Sequence, residues 1–134
     1  MRTVSVDGGS FIEPPKMKFH NAYFTILDEE TDELIYHEKD IGDFYSGLAE
    51  YLAIEWAIKN IKERPLKIYN DCTTAIAWVN GRGKFKKWGI VPPDLTDIIL
   101  EYKKGTRADE WNAKNHSPKH DKSYYIKRYY ESKK

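Results

Sequence analysis

At 134 residues, 40% hydrophobic and 14% aromatic, the chain is long enough to bury one core and too short for several, so a single domain over residues 1–134 is expected. It has no apolar run able to span a bilayer, no basic-then-apolar secretory leader, and only one cysteine, Cys72, which excludes a membrane protein or a disulfide scaffold and points to the reducing cytoplasm. The net charge of +1 conceals an imbalance: residues 1–80 hold 8 Lys and Arg against 14 Asp and Glu, a charge of −6, whereas residues 81–134 hold 14 against 7, a charge of +7.

Residues 3–7 alternate, with Val4 and Val6 on one side and Thr3, Ser5 and Asp7 on the other, which predicts a strand. Gly8, Gly9 and Ser10 end it, and a loop carries Pro14 and Pro15. Strands are predicted over 22–27 and 34–38, separated by a charged turn, so the first three strands form an antiparallel meander. Residues 46–63 read as a helix: at about 100° per residue, Tyr51, Ile54, Ala57, Ile58 and Ile61 share an arc, Ser46 is a candidate N-cap, and Pro65 closes the element. A short strand over 66–70 follows, and then Asp71, Cys72, Thr73 and Thr74 start a helix that runs to Asn80. Residues 81–89 are a basic loop, Pro92 and Pro93 open a helix to Lys104, residues 107–113 form a final strand, and 121–132 a Tyr-rich helix. There is no internal repeat, low-complexity segment or linker.

Glu50 breaks the pattern of its helix. It falls inside the apolar arc, between the directions of Ala57 and Ile61, while Glu55, Lys59, Lys62 and Glu63 gather on the far side. An unpaired buried carboxylate costs several kcal/mol, roughly, so Glu50 requires a partner. Asp7 ends the first strand and Asp71 follows the fourth; if those strands are parallel, both aspartates emerge at one sheet edge, and the intervening helix lowers Glu50 onto the same spot. Converging carboxylates repel one another and need a proton or a divalent ion between them. Hard oxygen ligands favour magnesium or manganese over zinc, and Cys72, His116 and His120 match no usual zinc spacing.

Three pieces carry a family resemblance: Val4-Ser5-Val6-Asp7-Gly8-Gly9-Ser10, then Gly47-Leu48-Ala49-Glu50-Tyr51-Leu52-Ala53, then Ile68-Tyr69-Asn70-Asp71-Cys72. In order and spacing over the first 80 residues, the chain resembles a type 1 ribonuclease H domain. The resemblance implies an α/β fold, a five-stranded mixed sheet with its first three strands antiparallel and helices around it. It also implies an endonuclease that cuts the RNA strand of RNA·DNA hybrids with two Mg2+ or Mn2+ ions about 4 Å apart, leaving 5′-phosphate and 3′-hydroxyl ends. Asp7 would bridge the ions, with Glu50 and Asp71 on one side and a fourth carboxylate on the other. Asp121 is the best match for the fourth, ten residues after Trp111, and Asp109 is its competitor. Asp121 lacks the family's small residue before it, and the first loop lacks Asn-Pro-Gly, which marks a divergent member. The family's mobile product-release histidine would be His116, His120 or absent.

Recognition is expected from the basic second part. Arg82, Lys84, Lys86 and Lys87 interleave with Phe85 and Trp88, a composition suited to phosphate contacts and to packing on sugars and bases, and similar to a shortened basic protrusion of some bacterial members. The backbone at Gly8, Gly9 and Ser10 would approach the RNA strand, and Thr73 and Thr74 would meet a phosphate at a helix start. The expected partner is a hybrid duplex, read through its A-like shape by a monomer, with no membrane involved. Two other classes stay open: a superfamily nuclease acting on branched DNA, and a non-catalytic nucleic-acid-binding module.

Overall fold

A computed structural model describes residues 1–13, 18–83, 87 and 89–116. Five strands, β1 (Arg2–Glu13), β2 (Lys18–Asp28), β3 (Leu34–Glu38), β4 (Leu66–Asn70) and β5 (Ile98–Tyr102), form one sheet in the order β3-β2-β1-β4-β5. The first three strands are antiparallel, and β1 pairs β4, and β4 pairs β5, in parallel. Helix α1 (Ser46–Asn60) links β3 to β4, and α2 (Thr73–Val79) follows β4. Both lie on the face where Val4, Val6, Ile26, Leu66 and Ile68 are buried against Ile54, Ala57, Ala75 and Val79. A third helix, α3 (Arg107–His116), covers β1 and β2. Among the described residues, no helix is long and apolar enough to cross a membrane.

The central strand is longer than its alternation predicts. Gly8, Gly9 and Ser10 do not turn the chain; they stay in β1, paired with β2 up to Glu13 and interrupted only by a bulge between Gly9 and Phe11. Glycine at position 8 answers a packing demand: a Cβ there would lie 2.5 Å from both the Ala49 carbonyl carbon and the Glu50 nitrogen, all of it backbone. Gly8→Ala is therefore expected to push α1 off the sheet and cost about 1–3 kcal/mol, read as a lowered denaturant midpoint at unchanged slope. An unshifted midpoint would show that β1 and α1 can separate freely.

Helix α1 starts at Ser46, but Tyr45 is the N-cap and no side chain caps it, which corrects the assignment of that role to Ser46. It ends at Asn60, short of the expected 63: Arg64 reaches back and donates to the Ile58 carbonyl (2.8 Å), which a further turn would have used, and to that of Ile61 (2.6 Å), whose helical donor would be Pro65, which has no N–H.

Two elements late in the chain exchange types. The helix expected over 92–104 is instead a polar turn followed by β5: Asp94 accepts from the Thr96 amide and hydroxyl, and Asp97 sits at φ 57°, outside any right-handed helix. Ile98, Ile99 and Leu100 then continue as a strand beside Leu66, Lys67 and Ile68. The strand expected over 107–113 is α3. Thr106 and Asp109 form a reciprocal box that nucleates it, with the Asp109 amide donating to Thr106 Oγ1 (3.3 Å) and the Thr106 amide to Asp109 Oδ2 (3.2 Å). The Tyr-rich helix expected over 121–132 lies outside the described residues.

Candidate metal centre

The register of the parallel pair sets the site. Ser5 pairs with Tyr69, so Asp7, midway along β1, and Asp71, just past β4, each stand two residues beyond the last matched pair. Side chains alternate along β1: Val4 and Val6 enter the α1 side, while Ser5 and Asp7 face α3. Asn70, fully buried, locks the β4 exit by donating to the Val6 carbonyl (3.1 Å) and accepting from the Cys72 amide (3.0 Å). Cys72 itself caps α2, its Sγ accepting from the Ala75 amide.

Helix α3 is anchored from two directions. The Ala108 amide donates to the buried Ser5 hydroxyl (3.0 Å), and the Arg107 amide donates to Glu29 Oε2 (2.9 Å) at the end of β2. This seats Asp109 beside β1. Carboxylate oxygens of Asp7, Asp71 and Asp109 lie within 4.8 Å of one another. Glu50 closes the cluster from the α1 side: 5% exposed, it accepts from the Gly8 amide through Oε1 (2.5 Å) and lies near enough to Asp7 and Asp71 for their charges to act on it.

The electrostatics are those of crowded acids, with Lys104 acting on Asp71 as an opposing charge. Burial first, then the Asp7 charge, pushes Glu50 up to about 12. The same two causes raise Asp71, and burial followed by the charges of Asp7 and Asp71 pushes Asp109 up to about 7. Asp109 Oδ1 is buried and has no hydrogen-bond donor among the described residues. Four carboxyl groups drawn from distant parts of the chain, one with an oxygen that has no partner among the described residues, fit a hard divalent ion and offer nothing to a soft one.

Of the residues expected from sequence, Asp7, Glu50 and Asp71 are brought together. Asp121 lies outside the described residues, and Asp109, its competitor, is in the cluster. Gly9 and Ser10 are buried in β1, and Thr73 and Thr74 are exposed at the start of α2. Arg82 and Lys87 are exposed; Lys84, Phe85, Lys86, Trp88 and His120 lie outside the described residues. His116 ends α3 with its ring stacked on Tyr23 at 3.8 Å between centroids, close to His37 and Trp111. Two residues were not foreseen. Asn112, one turn past Asp109 on the same face of α3, donates to Asp7, and Thr25, across the ladder from Asp7, donates to Asn112.

This strand order, with carboxylates gathered at the end of the central parallel pair, defines a ribonuclease H-like fold. Solved structures that share it include LC11-RNase H1 in complex with an RNA/DNA hybrid (17% identity, 82% of this chain and 92% of that one, TM-score 0.53). A foamy viral protease-reverse transcriptase in complex with dsDNA matches at 22% identity over 78% of this chain and 81% of that one, TM-score 0.54. The PFV RNase H domain matches at 19% over 78% and 79%, TM-score 0.51. No protein-family model matches the sequence, and no curated protein is recognisably similar to it.

Proposed function

We propose that the chain is a metal-dependent endonuclease that hydrolyses the RNA strand of RNA·DNA hybrids, leaving 5′-phosphate and 3′-hydroxyl ends, as a single-domain cytoplasmic monomer. The observation that carries this reading is the meeting of Asp7, Glu50, Asp71 and Asp109 at one end of a ribonuclease H-like sheet. The seating of Asp109 beside Asp7 and Asp71 supports giving it the fourth position, which the sequence offers first to Asp121.

These carboxylates would hold two Mg2+ or Mn2+ ions. When bound, such ions polarise the scissile phosphate and lower the pKa of an attacking water. The chain's own residues hold and orient. The Gly8 amide fixes Glu50 Oε1, the Thr106 amide fixes Asp109 Oδ2, and Asn112 fixes Asp7 Oδ2, leaving the second oxygen of each for a metal. Water as the nucleophile removes the need for an activated serine or cysteine.

Duplex binding is assigned to the basic segment around Arg82 and Lys87, with Lys84, Lys86 and Trp88. Replacing Arg82, Lys84, Lys86 and Lys87 together by alanine is expected to weaken hybrid binding and to flatten its salt dependence by roughly 0.7–0.9 in log–log slope for each phosphate no longer neutralised. An unchanged slope in a salt titration would return the segment to solvent.

The reading is tested by a cleavage panel of hybrid, duplex RNA, duplex DNA and a four-way junction in Mg2+ and in Mn2+. Cutting of the hybrid's RNA strand is expected. Junction cleavage with the hybrid left intact would reassign the site to branched DNA, and metal-independent binding without any cleavage would make the protein a binding module.

A further inference from the structure

We propose that Asn112, oriented by Thr25 and His37, is a positioning residue that holds the Asp7 carboxylate ready for metal. The role in catalysis rests on the nuclease reading; the geometry does not. Asn112 is 1% exposed and its Nδ2 donates to Asp7 Oδ2 at 2.8 Å, with the Asp7 carbonyl 3.5 Å from the same nitrogen. Its Oδ1 accepts from Thr25 Oγ1 at 2.6 Å, and Thr25, fully buried, is the cross-strand partner of Asp7.

Proton counting gives this chain a direction. A threonine hydroxyl has one proton, and Thr25 gives it to Asn112. His37 Nδ1, 2.9 Å from Thr25 Oγ1, must then be the donor there. The same nitrogen lies 3.1 Å from the Phe24 carbonyl, which can only accept. Both contacts call for the Nδ1–H form. The order is therefore imidazole N–H to Thr25, Thr25 O–H to the Asn112 oxygen, and Asn112 N–H to Asp7.

A flipped Asn112 would set its oxygen against a carboxylate and its NH2 against a committed donor, so the relay permits one orientation of the amide. That orientation donates an N–H to the Asp7 carboxyl oxygen and fixes the Asp7 rotamer among three other acids that would otherwise turn it away. Because Asn112 lies three residues past Asp109 on α3, docking of one helix delivers both a carboxylate and the clamp for its neighbour.

Thr25→Val keeps shape and removes the hydroxyl, Thr25→Ser keeps the hydroxyl, and Asn112→Leu removes the clamp. Mn2+ affinity is measured calorimetrically without nucleic acid, alongside melting in chelator and kcat and KM for hybrid cleavage. Thr25→Val and Asn112→Leu are expected to bind Mn2+ about 10–100-fold more weakly, with kcat at fixed metal falling and the hybrid KM unchanged, while Thr25→Ser returns to within about threefold. Wild-type Mn2+ affinity in a folded Thr25→Val protein, or a Thr25→Ser protein as impaired as Thr25→Val, would overturn the relay. Should Asn112→Leu fail to fold, the Thr25 pair decides. If the wild type binds Mn2+ but cuts no nucleic acid, the nuclease reading falls and the calorimetric comparison still judges the relay; if the wild type binds no Mn2+, both fall.

Discussion

Asp7→Asn is expected to lower metal-dependent cleavage of the hybrid by at least about 100-fold, equivalent to about 2.7 kcal/mol of barrier, while the protein remains folded. Asparagine has nearly the same volume and keeps an oxygen to accept from Asn112. What disappears is the charge that helps to raise Glu50, Asp71 and Asp109. Relief of that repulsion predicts a melting temperature in chelator equal to or above that of the wild type, together with loss of Mn2+ affinity. Cleavage at the wild-type rate would remove Asp7 from the centre, and melting far below wild type would give it a structural task instead. Asp109→Asn is expected to follow Asp7→Asn in the same assays; an Asp121→Asn protein that loses more activity than Asp109→Asn would transfer the fourth position.

The second large effect is an inverted pH dependence of the metal-free protein. Asp109 is pushed up to about 7 from an ordinary 3.8, and Glu50 up to about 12 from 4.5, so both favour the folded state when protonated. Their contribution is complete below about pH 4 and is lost as pH rises, through about 7 for Asp109 and progressively beyond for Glu50. Asp71, also raised, acts in the same direction. Asp28 opposes them, since burial pushes it up but the Thr31 and Glu30 amides and Arg2 together hold it below 3.8; its contribution fails only at more acidic pH. Melting temperature in chelator should therefore fall between pH 5 and pH 8.

Divalent ions reverse this trend, because they bind the ionised carboxylates and must displace the protons. Mn2+ at 100 times its pH 6 dissociation constant adds about 2.7 kcal/mol at that pH, roughly 10 °C at about 4 °C per kcal/mol, and at the same metal concentration the shift should be larger at pH 8, where fewer protons must be displaced. Equal shifts at both values, or a chelator melting curve that rises with pH, would refute the shared acidic centre.

Glu50 was legible because one charge inside an apolar arc has no cheap explanation, and Asp71 because it follows a strand whose end the turn residues mark; Asp7 was reached although β1 does not end there but runs on to Glu13. The late elements were harder. Pro92 and Pro93 suggested a helix start, yet the Asp94–Thr96 turn and the left-handed Asp97 act after them, and only pairing with β4 makes Ile98–Tyr102 a strand. Misreading α3 as a strand hid the case for Asp109. The signal was present as Thr106 followed three residues later by an acid, with the small residue Ala108 immediately before that aspartate. Thr25 and Asn112 could not be paired from sequence, since their contact depends on α3 docking over β1 and β2 across a sequence separation of 87.

That late docking sets when the protein becomes chemically competent. Every strand of the sheet is complete once Tyr102 has been made, but the last described acid and the clamp on Asp7 reside in Arg107–His116. A chain growing from its N-terminus therefore carries a finished scaffold with an inert, self-repelling trio of acids until α3 folds down. A chain stopped before Arg107 would thus lack both the Asp109 carboxylate and the hydrogen bond that Asn112 gives to Asp7.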